Sequence, residues 1–291
     1  MGGQAVDAAG DAAGDAAGNA AGNAAGHAAG IGIVQIRDGA VLQLGFQRPE
    51  RRNAITSRMY AALAQGLQQA ADDAAVKVVV LHGTPEAFTA GNDLGDFLND
   101  PPAGEDAPVL RFLAALASFP KPLVAAVNGP AVGVGTTMLL HCDLVYAGDG
   151  AQFSLPFASL GLCPEAGSSV LLPALAGYAR AAEKLLFGEP FDAQEAREMG
   201  LVNQVMPAAQ VLDFALSRAR SLARQPTASL RETKRLLRAP LAVQVARAMA
   251  DESATFRRMI TGPAAREAFS AFLEKRKPDF SKADSGGPEP A

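Results

Sequence analysis

Between Gly150 and Ala182 the chain carries a single carboxylate, Glu165, in a run of mostly small and apolar residues. Burial in such company disfavours the charged form, so the pKa should rise and the group could both take and return a proton near neutrality. A plainer reading makes it a solvated acid at a helix start. Pro164 and Glu165 before Ala166-Gly167-Ser168-Ser169-Val170 suit a first helical turn and its dipole. Both readings stand on the residues alone.

Two other segments could serve proton chemistry. Phe88-Thr89-Ala90-Gly91-Asn92-Asp93-Leu94 follows a strand-like run at 77–83, and Gly129-Pro130-Ala131-Val132-Gly133-Val134-Gly135 follows another at 123–128. In α/β layers ligands gather beyond the carboxyl ends of strands, where loops and helix starts offer free N–H groups. One donor from each loop would suit a developing negative oxygen, and losing such a donor typically costs about 3 kcal/mol of transition-state stabilisation. The alternative is that these turns only close the fold.

Other candidates fail on spacing. Gly133-Val-Gly-Thr-Thr-Met lacks the third glycine of a dinucleotide fingerprint. Ser168 and Ser169 have no histidine near them in sequence to activate a nucleophile. His27, His82 and His141 read as packed or surface residues. Cys142 and Cys163 have no ligand-like neighbours, so neither a metal site nor a disulfide is expected, and a reducing compartment fits.

These groups must be held by a sizeable core. The chain has 291 residues, 49% of them hydrophobic, with net charge −4, enough for one large domain or two modest ones. The 26 basic and 30 acidic residues form no strong patch, so nucleic acid is not an expected partner. No run reads as membrane-spanning, because the longest apolar stretch is interrupted by Asn128 and Pro130. Residues 1–30 lack the basic start and apolar block of a signal peptide. From Asp7 to Gly30 they repeat Asp/Asn/His-Ala-Ala-Gly six times, and Gly at every fourth place argues for a disordered tail.

Ile31–Arg37 and Ala40–Phe46 around Asp38-Gly39 predict a β-hairpin with a two-residue turn. Thr56 or Ser57 caps a helix to about Asp73, and Asp106–Ser118 is a second. Buried strands at 77–83, 123–128 and 143–147, with a helix near Thr136–His141, argue for α/β layering with mostly parallel pairing. Beyond Ala166 helices are expected over 178–187, 192–199, 208–223, 227–238, 240–259 and 263–275, with one strand-like run at 201–206. Residues 281–291 read as a frayed tail.

Taken together, several ordered motifs resemble the crotonase (enoyl-CoA hydratase/isomerase) superfamily. They are Arg48-Pro-Glu-Arg-Arg-Asn-Ala, Phe88–Leu94, Lys121-Pro-Leu-Val-Ala-Ala-Val-Asn-Gly-Pro-Ala-Val-Gly-Val-Gly, Cys142-Asp-Leu-Val-Tyr-Ala, Phe187-Gly-Glu-Pro-Phe-Asp-Ala-Gln-Glu-Ala and Gly200-Leu-Val-Asn. The resemblance covers about residues 31–280. It implies a spiral of ββα units over 31–206, a C-terminal helical region over 207–280 that assembles trimers or trimer pairs, and acyl-CoA thioester substrates. It also implies an oxyanion hole from the main-chain N–H groups of Asn92 and Val134. Arg52 and Ala54 would contact CoA, with Arg51 or Lys275-Arg-Lys277 meeting phosphates. Ala90, Gly91, Asp93, Leu94 and Phe157 complete the expected substrate contacts, and no separate cofactor is needed.

The departures from the family pattern are informative. Where its hydratases carry two glutamates this chain has Thr137 and Phe157, neither of which exchanges protons near pH 7. Cys163-Pro-Glu165-Ala-Gly-Ser-Ser and Gly91-Asn-Asp-Leu resemble Δ3,Δ2-enoyl-CoA isomerases of the peroxisomal type, which use a single glutamate base. The expectation is therefore an isomerase with Glu165 as catalytic residue. A hydratase or other lyase with relocated acid/base groups, or a non-catalytic acyl-CoA binder, remains the alternative. The C-terminal Pro288-Glu-Pro-Ala291 is no peroxisomal signal, so a cytoplasmic, bacterial setting is expected.

Overall fold

Strands β1 (Ile33–Asp38) and β2 (Val41–Phe46) pair antiparallel from Ile33 opposite Phe46 to Asp38 opposite Val41. The turn is Gly39-Ala40, one residue later than the sequence reading placed it. Gly39 takes φ +57° at the first turn position, which glycine reaches without strain. This computed structural model describes residues 30–99, 104 and 106–282. The tails expected at 1–30 and 281–291 lie outside them, apart from Gly30, Ser281 and Lys282.

After the hairpin comes α1 (Ser57–Asp72), whose cap Thr56 accepts the Met59 N–H at 3.3 Å. Met59, Leu63 and Leu67 recur on its buried face at helical spacing. The chain continues through β3 (Val78–His82), α2 (Leu94–Asn99), α3 (Pro108–Ser118), β4 (Leu123–Val127), β5 (Pro130–Val132), α4 (Val134–Thr137), β6 (Leu144–Gly148), β7 (Gln152–Ser154), α5 (Ser168–Ala176), α6 (Tyr178–Phe187), β8 (Phe191–Asp192), α7 (Ala193–Glu198) and β9 (Gln204–Met206). Four helices follow: α8 (Val211–Ala223), α9 (Thr227–Arg238), α10 (Ala242–Ile260) and α11 (Pro263–Leu273).

The main sheet has the order β1-β2-β3-β4-β6-β9 and is parallel beyond its first pair. Its central strands are covered on both faces, which is why they read as unbroken apolar runs. Val78, Val80 and Val124 pack with Val211, Ala215 and Ala219 of α8, while Val79, Leu81 and Ala125 face the larger core. The boundary expected at residue 206 thus falls just before a helix that packs back on the sheet. These mixed sheets and the long C-terminal helical region form the α/β fold that the sequence predicted.

A second sheet, β5-β7-β8, went unread because its strands are only two or three residues long. It holds the glycine-rich loop in place. β5 lies parallel to β7, and the Gly133 N–H donates to the Ser154 carbonyl at 2.9 Å. The helix expected near Thr136 begins at Val134 and tightens into a 3-10 turn over Met138–His141.

Candidate active site

The two loops singled out in the sequence dock against each other. The Thr89 N–H donates to the Pro130 carbonyl at 3.0 Å, and the Val132 N–H donates to the Thr89 carbonyl at 3.0 Å. The approach needs glycine at Gly91, which has φ +84° and where a Cβ would stand 2.7 Å from the Val132 oxygen. Gly133, at φ +56° and ψ −116°, turns the chain into α4 and leaves Val134 as its first residue. Neither the Asn92 nor the Val134 N–H donates to a protein acceptor among the described residues, and for Val134 that is ordinary at the first residue of a helix.

Both residues border a cavity of about 640 Å³. It is also lined by Arg51, Ala54, Ala90, Gly91, Asp93, Leu94 and Phe157, and by Phe256, Phe269 and Phe272 from the last two helices. Arg52, expected beside CoA, is exposed and not part of the lining, and its carbonyl accepts the Ala90 N–H at 2.9 Å. In the 275–277 cluster Arg276 is committed to Glu267 and Glu274.

Glu165 borders a smaller space of about 30 Å³ beside Val109, Leu113 and Arg257. Asn92, Phe97 and Phe256 line both spaces and so form their common wall. The Phe97 and Phe256 rings meet edge to face at 6.2 Å. Glu165 therefore lines a different space from the one Val134 lines, and of the predicted donors only Asn92 borders both, with the Phe97 and Phe256 rings.

Burial pushes the Glu165 carboxyl up to about 7, opposed by a hydrogen bond from the Thr137 hydroxyl and reinforced by the charge of Glu252. Tyr60, raised well above its ordinary value by burial and then by Glu165, stays a neutral donor and gives its hydroxyl proton to the Asn92 side-chain oxygen. Asp93 is different. Burial works to raise its pKa, but Arg48 at 2.6 Å and the Asp96 N–H outweigh it and hold the carboxyl below the usual range. Burial raises the Cys142 thiol to about 12 and the Cys163 thiol to about 11, so neither is a ready thiolate. Among the described residues, no group of three or more His, Cys, Asp or Glu is placed to hold a metal ion.

Residues 37–283 match the family described as Enoyl-CoA hydratase/isomerase. The chain belongs to the enoyl-CoA hydratase/isomerase family. It is 41% identical to Enoyl-CoA delta isomerase 2 of Rattus norvegicus over 213 residues, 71% of this chain and 54% of that protein. It thus spans about half the length of that relative. It is 36% identical to 2,3-dehydroadipyl-CoA hydratase of Escherichia coli (strain K12) over 249 residues, 85% of this chain and 98% of that protein. The crystal structure of an enoyl-CoA hydratase/isomerase from Pseudoalteromonas atlantica T6c superposes with a TM-score of 0.82 at 40% identity, covering 86% of this chain and all of that one. The relatives divide between isomerase and hydratase names.

Several residues at this candidate site of the enoyl-CoA hydratase/isomerase family member escaped the sequence reading. Tyr60, Phe97, Phe256 and Glu252 reach it from α1, α2 and α10, far from Glu165 in the chain. One signal was available. Ala248, Glu252, Phe256 and Ile260 recur every four residues on the buried stripe of α10, and an acid on such a stripe is out of place unless it has partners.

Proposed function

We propose that this enzyme is an isomerase, converting a 3-enoyl-CoA into its 2-trans-enoyl isomer, with Glu165 as the sole proton carrier. The observation that carries the reading is the Glu165 carboxyl, pushed up to about 7, in a small space that has Asn92 in common with the main cavity. The C2 hydrogens of a 3-enoyl thioester lie between a carbonyl and a double bond. Glu165 takes one of them, the electron pair moves onto the thioester oxygen, and the Asn92 and Val134 N–H groups receive that charge. The protonated carboxyl then returns its proton at C4, leaving the double bond between C2 and C3. A pKa near the working pH suits a group that must do both.

A hydratase reading draws on the full-length similarity to the dehydroadipyl-CoA enzyme. It needs a second group to deliver water. Thr137 is buried with its hydroxyl on Glu165, Phe157 is apolar, and Asp93 is held ionised by Arg48. A non-catalytic acyl-CoA binder would have no use for a desolvated carboxyl. Purified protein offered 3-hexenoyl-CoA and crotonyl-CoA separates these readings. Conjugated thioester should form from the first, with little hydration of the second. Turnover of crotonyl-CoA alone would overturn the proposal, and inertness to both would favour the binder.

Thr137→Val should raise the Glu165 pKa further, because the lost hydroxyl stabilised the charged form. A hydrogen bond to a charged group is worth ~1.5–3 kcal/mol, so the acid limb of kcat/KM should move up by about one unit or more. A pH profile on 3-hexenoyl-CoA checks this.

What the single chain leaves uncovered supports self-association. Tyr178, Leu186 and Phe187 on α6, Leu236 and Leu237 on α9, and Val243 on α10 are large apolar side chains at 58–80% exposure. They support a homotrimer or a dimer of trimers, and sedimentation equilibrium should give three or six times the chain mass. No described helix is long and apolar enough to cross a membrane. Two free thiols support a reducing, cytoplasmic setting.

A further inference from the structure

We propose that Glu252 is a positioning residue for the Glu165 base: from α10 it clamps the backbone turn on which that base is mounted. The proposal rests on the reading of Glu165 as the base. Directly after Glu165 the chain passes through Ala166 at φ +61° and Gly167 at φ +71°. Left-handed backbone is unfavourable for a residue with a Cβ, so the turn must be held by its surroundings.

Glu252 supplies much of that hold. One carboxylate oxygen accepts the Gly167 N–H at 2.6 Å, and the other accepts the Ser169 N–H at 3.0 Å and the Ser169 hydroxyl at 2.5 Å. These donors belong to the start of α5, which has no side-chain cap from its own N-cap residue. The capping acid comes instead from more than eighty residues away and is only 7% exposed. The Cys163 thiol also donates to the Glu252 carbonyl at 3.6 Å, so α10 grips the turn on both sides of Glu165.

His141 completes the fixture. Burial lowers its pKa to about 4, so the ring is neutral, and Nε2 donates to the Ala166 carbonyl at 2.7 Å. One turn beyond Glu252 on the same stripe, Phe256 forms the wall between the two cavities. A single helix face thus sets both the wall and the mount of the base.

The titratable groups facing Glu165 are Tyr60 from α1, Cys163 in its own loop, and Glu252 and Arg257 from α10. Glu252 adds negative charge and so favours the protonated form of Glu165.

The test uses full-length Glu252→Gln and Glu252→Asp. It reads kcat and KM on 3-hexenoyl-CoA, and the titration of Glu165 by ¹³C NMR of carboxyl-labelled glutamate, assigned by the signal lost in Glu165→Gln. Glu252→Gln should lower kcat by ~10²-fold through misplacement of the base while KM stays near wild type. Its Glu165 should titrate at lower pH than in the wild type. Glu252→Asp keeps the charge on a shorter arm, so it should restore the titration and only part of kcat. Should Glu252→Gln not fold, reduced kcat at wild-type KM in Glu252→Asp supports the proposal and wild-type kcat overturns it. Folded variants with wild-type kcat and wild-type Glu165 titration, differing only in unfolding temperature, also overturn it. If the wild type does not isomerise the substrate, the base reading fails, while the Glu165 titration still decides whether Glu252 governs that carboxyl.

Discussion

Glu165→Gln should lower kcat on a 3-enoyl-CoA by about 10²–10⁴-fold, the range a positioned general base contributes, with KM little changed. Glutamine keeps the volume and can still accept the Thr137 hydroxyl, but it exchanges no proton. In the wild type the carboxylate is the active form. Activity measured as kcat/KM should therefore fall tenfold per unit as pH drops below the Glu165 value of about 7.

The same group links activity to stability. The Glu165 pKa is about 7 in the folded protein against an ordinary 4.5, so folding favours the protonated form. Its contribution to stability is full below pH 4.5 and is lost as pH rises to about 7. Above that, the buried charge is a cost that glutamine avoids. Denaturant unfolding should find Glu165→Gln more stable than wild type at pH 8 by ~1–3 kcal/mol, and close to it near pH 4.5. A variant that is less stable at pH 8 would contradict a desolvated carboxyl.

Val134→Pro carries the second large effect. Val134 is the first residue of α4, where proline fits the backbone and the N–H has no partner in the helix. The substitution removes the main-chain N–H of a residue that lines the cavity. If that donor holds the enolate oxygen, kcat should drop by about 10²–10³-fold, corresponding to ~3–4 kcal/mol of transition-state stabilisation. Stability should fall by only ~1 kcal/mol, from the smaller buried side chain. Circular dichroism and single-turnover kinetics on one preparation separate the two effects. Near-wild-type turnover would remove Val134 from the site.

Much of the scaffold was legible because its periods are long and local. The runs of β3 and β4 announce strands covered on two faces, and the helices at 178–187 and 227–238 begin and end where Gly177, Gly188 and Pro226 predict. β5, β7 and β8 were not legible, since two or three residues cannot display a period of two. The hairpin turn slipped by one residue because Asp38-Gly39 looks as suitable as Gly39-Ala40 until register is known.

At the site, the isolation of Glu165 and the paired glycine loops could be read from local composition. Thr137 on Glu165, Tyr60 on Asn92 and the Phe97–Phe256 wall could not, because each joins elements that only the fold brings together. The exposure of Arg52 has the same origin. Its loop turns through φ +48° at Arg52 and +58° at Asn53, burying Asn53 and leaving the arginine outside.

The most direct measurement of the central claim follows a label. 3-Hexenoyl-CoA deuterated at C2 is converted in ordinary water, and the product is read by mass spectrometry and NMR. A lone carboxyl that carries the proton across should deliver a measurable share of deuterium from C2 to C4. Product whose new C4 hydrogen comes entirely from solvent, or accumulation of a 3-hydroxyacyl-CoA, would contradict it.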